Sequence, residues 1–232
     1  MTKTLIQLAQ EEHLRNNKIV AAAKVNGKLE ELTDSIPDNG QIEMVTTDTK
    51  IGIETYRRSV LMLMLSAVHN MFPSDKKIKV SVEFSVSKGI FCDIKSDFKV
   101  TDEFLIKLKE KMMEYVKKDL PINKRTLKTG EAMGLFEEYG MDDKAKLFKY
   151  RTDSYISLYE LDGYNDYFYG YMMPSTGELG IFDLFRYKDG FVLQLPVKEA
   201  PYDVPEFVPQ NKVSEVLSNS THWAEMMDMH TV

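Results

Sequence analysis

The chain has 232 residues, 43% of them hydrophobic and 28% charged, with a formal net charge of −6. A chain of this length buries roughly 70% of its unfolded surface and forms one large or two small domains without disulfides. The composition excludes a disordered tail or a collagen-like fibre, and the acidic balance excludes a generic nucleic-acid binder, whose affinity comes from many Lys and Arg releasing counterions. The lone cysteine, Cys92, excludes a disulfide framework and every multi-cysteine metal site within one chain. No signal-peptide pattern opens the sequence, and the apolar run Val60 to Val68 is too short for a bilayer. The expected location is therefore the cytoplasm, with no membrane partner.

Leu5, Leu8 and Ala9 share a face of a short helix from Thr4 to Arg15. Asn26-Gly27, between Ile19–Val25 and Lys28–Leu32, is a hairpin signal, because both central residues of a type I′ turn need positive φ. A turn at Pro37–Gly40 and a strand from Gln41 to Thr46 follow. Ile51 to Phe72, stopped by Pro73, reads as a long helix apolar nearly all round, hence buried on several sides. Ile78, Val80, Val82, Phe84 and Val86 alternate as one buried strand face, which Ile90, Cys92 and Ile94 continue past a turn at Lys88-Gly89.

Thr101 N-caps a helix running to Lys118, with Phe104, Leu108, Met112 and Val116 as its core stripe. Short helices are expected at about 130–139 and 142–149. Strands are expected at Tyr155–Leu161, Tyr167–Met172, Ile181–Tyr187 and Phe191–Leu195. Four of the eight prolines fall at 196, 201, 205 and 209, marking an extended linker before a helix at Val213–Met229.

The chemistry-bearing residues are sparse. No Gly-rich phosphate cradle is present: Gly27-Lys28 has Ala22 where a Walker loop needs glycine. His13, His69, His222 and His230 lack metal-ligand spacing. Cys92 sits on an apolar face and reads as a buried, inert thiol. Glu11-Glu12, Glu30-Glu31, Glu137-Glu138 and Asp142-Asp143 read as solvated charge. Tyr167, Tyr169 and Tyr171 alternate on the expected strand, a base-stacking face or, more commonly, a half-buried sheet surface.

Several segments carry a resemblance. Thr4–Ala9 and Ile19–Leu29 resemble the later part of a TGS domain, the β-grasp module of threonyl-tRNA synthetases, without its first hairpin. Arg58–Met62, Lys117–Lys124 and Phe168–Gly177 resemble the editing domain shared by threonyl- and alanyl-tRNA synthetases. That family carries His-x-x-x-His and Cys-x-x-x-His metal ligands. Here those positions hold Arg58, Met62, Phe168 and Met172, so the resemblance implies a degenerate centre with no metal, catalytic or cofactor residues. Tyr56–Ser59, Leu147–Arg151, Tyr164–Gly170, Pro174–Gly177, Gly190–Pro196 and Trp223–Met227 are similar to bacterial uridine kinase-like nucleoside kinases, which join both units to a P-loop kinase domain using ATP and magnesium.

The expected fold is α+β: a partial β-grasp (TGS-like) unit over 1–48, then an editing-domain-like antiparallel sheet packed on a long central helix over 49–195. A Pro-rich linker and helix over 196–232 would lead to a C-terminal P-loop kinase domain, the expected partner. The function implied is a non-catalytic regulatory or RNA/ligand-binding module of such a kinase, with Lys107, Lys111, Lys117, Lys118, Lys124 and Arg125 as candidate RNA contacts or ordinary surface charge. The alternative is a metal-independent aminoacyl-tRNA editing-type hydrolase using Arg58, Ser59, Tyr169 and Tyr171.

Overall fold

In the computed structural model, residues 3–37, 40–72, 80–94, 98–138, 148 and 155–209 are described. The expected second short helix near 142–149, apart from Phe148, and the helix at Val213–Met229 lie outside them. Helix α1 (Leu5–Asn16) opens on a capping box, in which the Thr4 side chain accepts from Gln7 N and the Gln7 side chain accepts from Thr4 N. It ends where Asn17 turns left-handed at φ 52°.

Strands β1 (Val20–Val25) and β2 (Lys28–Glu30) form the expected hairpin, with Asn26 at φ 52° and Gly27 at φ 81°. Strand β3 (Ile42–Thr46) pairs on the other side of β1, giving an antiparallel sheet of order β2-β1-β3. β1 is buried on both faces. Val20, Ala23 and Val25 join Leu5 and Ala9 of α1 in one cluster, whereas Ile19 and Ala21 join the main core. The run of alanines permits this double approach.

The main core forms around α2 (Lys50–Met71), in which Tyr56, Val60, Met62, Leu63, Met64 and Ala67 are fully buried. Thr49 caps it, and Gly52 sits so near β3 that a Cβ there would lie 2.0 Å from Thr46 O. The start of α2 therefore packs against the first sheet while its centre is buried in the main core. His69, in the last turn, meets Tyr164 at 5.2 Å between ring centroids. Burial lowers its pKa, so the folded state resists the proton that the unfolded chain takes up near pH 6.5. Stability is therefore expected to fall as pH drops below about 6.5, and a His69→Gln variant should flatten that limb of a denaturation–pH profile.

A four-stranded antiparallel sheet has the order β4-β5-β10-β9, from β4 (Val80–Val86), β5 (Gly89–Ile94), β9 (Asp183–Tyr187) and β10 (Gly190–Gln194). Cys92 is fully buried in β5, and burial pushes its thiol up to about 12. The strict burial expected of β4 fails. The pairing shifts register between Val82 and Ser85, and Val82 is exposed. β4 is an edge strand, and the bulge turns its middle outward.

Helix α3 (Asp102–Lys118), capped by Thr101 as expected, buries Phe104, Leu108 and Met112 against α2. A third antiparallel sheet has the order β6-β7-β8, from β6 (Asn123–Lys128), β7 (Tyr155–Leu161) and β8 (Tyr164–Asp166). α4 (Thr129–Glu138) covers it. β6 is almost wholly exposed, so its sequence carries no burial pattern to read. The expected strand at Tyr167–Met172 is instead a loop beyond β8. The expected extended linker at 196–209 instead turns twice, through a Val197–Ala200 bridge and residues 201–203, and is packed: Phe207 stacks on Phe185, Tyr202 Oη accepts from Ile19 N, and Val208 N donates to Ser87 Oγ.

Candidate functional site

Positions 58 and 62 lie one turn apart on α2, and the 167–177 loop is fastened along that stretch of helix. Arg58 Nη1 donates to Tyr171 O at 2.5 Å. Met173 N donates to Ser59 Oγ at 2.8 Å, and that hydroxyl donates in turn to Thr55 O at 2.8 Å. Ser59 Oγ lies 4.0 Å from Met172 Sδ. Gly170, at φ 120°, makes the approach possible: a Cβ there would stand 2.8 Å from Arg58 Cζ.

The helix and the loop that carry the four expected positions thus meet along one seam, joined through Arg58 and Ser59. Met62 and Met172 are buried in the main core, Phe168 packs against that core, and Arg58 closes the polar side. Burial lowers the Arg58 pKa, yet a guanidinium stays charged. This set does not fit zinc. Arginine and phenylalanine offer it no donor, and thioether sulfur suits softer ions.

The expected tyrosine stripe is dispersed because its backbone is not a strand. Tyr167 packs edge-on against Phe148, Tyr169 is 83% exposed, and Tyr171 holds Arg58 through its carbonyl. Most of the candidate basic residues are already partnered. Lys107 pairs with Glu103, Lys111 and Lys118 share Glu114, and Arg125 donates to Asn165 Oδ1. Lys117 is exposed on the last turn of α3.

Lys124 leads to residues that the sequence did not single out. Its Nζ lies 3.2 Å from Glu31 Oε2. Glu31, read as half of a solvated acidic pair, is only 2% exposed. Its Oε1 accepts from Met172 N at 3.0 Å and from Tyr159 Oη at 2.5 Å, and Tyr159 Oη also lies 3.0 Å from Gly170 O. Burial first, and then the Glu31 carboxylate, raise the Tyr159 pKa, so the phenol keeps its proton. The carboxylate at the end of β2 is thereby tied to both ends of the 170–172 segment. A buried carboxylate needs such partners; nothing local in the sequence reports them.

Comparison with curated proteins points one way. The chain is 32% identical over 167 residues to the threonine–tRNA ligase of Geobacter sp. (strain M21), an alignment covering 72% of this chain and 26% of that protein. It is 32% identical over 184 residues to the ligase of Carboxydothermus hydrogenoformans, covering 79% and 28%, and 31% identical over 162 residues to that of Aquifex aeolicus, covering 69% and 25%.

The chain is homologous to part of threonine–tRNA ligase.

It spans about a quarter of the length of these relatives. The α+β architecture, with antiparallel sheets around α2, is compatible with a threonine–tRNA ligase-like editing region. No family model matches the chain. Among the described residues, no helix is long and apolar enough to cross a membrane.

Proposed function

We propose that this chain is a non-catalytic module built on a scaffold it shares with threonine–tRNA ligases, with its ancestral hydrolytic centre filled by side chains. The observation that carries the reading is the seam itself. Met62 and Met172 occupy it as core residues while Arg58 is spent on the Tyr171 carbonyl. The relatives are threonine–tRNA ligases, which supports a role connected with aminoacyl-tRNA chemistry and favours the tRNA-synthetase-related alternative over the kinase reading. On the resemblance of Tyr56–Ser59 and Gly190–Pro196 to nucleoside kinases, the finer proposal is that it serves a P-loop kinase domain using ATP and magnesium. Sequencing the gene beyond codon 232 tests that part.

The hydrolase reading has a specific observation against it. Ser59, the nearest nucleophile candidate, is fully buried and commits its proton to Thr55 O while accepting from Met173 N. A serine nucleophile needs a base within hydrogen-bond reach, and none of these partners is one. The chain is therefore expected to leave mischarged threonine-specific tRNA intact in a deacylation time course. Hydrolysis above the buffer rate that disappears in Ser59→Ala or Arg58→Ala would replace the binding-module reading with the enzymatic one.

A further inference from the structure

A cavity of about 360 Å³ opens between α1 and residues 173–178. Its floor is apolar, made by Ile6, Ala9, Val20, Leu32 and Met173. Three acceptor-bearing side chains stand around it: His13 from α1, Asp119 from the end of α3, and Glu178 from the loop. Gln10 and Ser175 complete the polar part, and no Lys or Arg is among the described lining residues.

The state of each acceptor follows from its neighbours. His13 Nδ1 lies 3.1 Å from Lys18 O. A carbonyl only accepts, so in the neutral ring Nδ1 carries the proton and Nε2 is left as an acceptor. Asp119 Oδ1 accepts from Gly177 N at 2.8 Å, leaving its other oxygen available. Glu178 is exposed and has no ion-pair partner among the described residues. An apolar floor under two carboxylates and an imidazole acceptor complements a molecule with a hydrocarbon body and one cationic head. The volume lies at the small end of ligand pockets, which favour junctions between units.

We propose that this cavity binds a small hydrophobic amine, and that the ligand site is this cavity and not the seam between α2 and the loop. Met173 connects the two, lining the cavity while its N–H is held by Ser59. An occupant would therefore brace the loop that α2 fastens. The inference goes beyond the binding-module reading and stands independently of it, since a deacylase with an occupied junction would satisfy it equally.

The test uses three probes of one size on the full chain: phenethylamine, phenylacetate and ethylbenzene, titrated by calorimetry and by thermal shift. Phenethylamine is expected to saturate with a Kd on the order of 1 mM, fitting for so few atoms, and at least tenfold more tightly than phenylacetate. Glu178→Gln combined with Asp119→Asn should weaken the amine about tenfold while leaving the melting temperature of the unliganded chain unchanged, because the amide oxygen introduced at position 119 still accepts from Gly177 N. Equal binding of amine and acid, no saturation by the amine at about ten times that concentration, or an unchanged Kd in the double variant would each overturn the proposal. Ethylbenzene binding as tightly as the amine would overturn it too, by assigning the affinity to the apolar floor alone.

Discussion

Replacing Glu31 with Ala is expected to destabilise the chain by about 3 kcal/mol, because a buried carboxylate with several partners is removed and the partners stay behind. Met172 N and the Tyr159 hydroxyl both lie in a region almost without solvent, so water does not replace the lost acceptor for either. Lys124 is different: its side chain is 37% exposed and regains hydration, which keeps the loss below that of a fully buried ion pair. Glu31→Gln separates the contributions. The amide oxygen still accepts from Tyr159 and Met172 N, while the NH2 that replaces the oxygen opposite Lys124 removes both its charge and its acceptor, for a cost of about 1–2 kcal/mol. Urea denaturation midpoints, with unchanged slopes, measure both. A Glu31→Ala variant as stable as the parent would show that the β2 end and the 170–172 loop are not coupled.

Gly170→Ala is the second large effect, expected to cost about 2–3 kcal/mol through backbone strain and a collision. At φ 120° an L side chain is strained whatever the space, and the new methyl would stand 2.8 Å from Arg58 Cζ, with both guanidinium nitrogens at 3.0 Å or less. The collision and the strain separate in a double-mutant cycle. Arg58→Ala removes the obstacle and not the dihedral penalty, so the double variant should lose less than the sum of the single losses. Strict additivity would mean that Arg58 does not press on the loop at this point.

Both effects arise where the sequence was hardest to read. Local signals served well wherever the structure is locally determined. Asn26-Gly27 announced the hairpin, Thr101 the start of α3, and the unbroken apolar run from Val60 to Val68 the buried centre of α2. The resemblance of Arg58, Met62, Phe168 and Met172 to an emptied ligand set needed no structure to state; the helix and the loop that carry them are joined through Arg58 and Ser59. The 167–172 segment misled because alternating tyrosines imitate strand periodicity, while its real conformation is set by long-range bonds from Arg58, Ser59 and Glu31. β6 escaped notice because an exposed edge strand rich in Lys and Arg has no apolar face to announce it. Glu31 was invisible for the opposite reason: its burial is made by Tyr159 and Lys124, more than ninety residues away.

On the proposed reading, the seam is also how a scaffold outlives its chemistry. A metal site holds its ligands in place by coordination. Once the ligands are replaced, another set of interactions must keep the loop against the helix. Burial of Met62 and Met172 in the main core, with Phe168 packed against it, supplies one part, and the bond from Arg58 to Tyr171 O supplies a polar anchor. Burying methionine in such a space suits its flexible, unbranched side chain.

The central claim, a filled centre on an inherited frame, is tested most directly by zinc content after equilibrium dialysis of the parent chain and of R58H/M62H/F168C/M172H. The account predicts no stoichiometric zinc in the parent and about one ion per chain in the variant, since four restored donors on this seam reconstitute a tetrahedral set. Stoichiometric zinc in the parent that is lost on replacing Met62 and Met172 with Leu, or a four-donor variant that folds and yet takes up none, would contradict it.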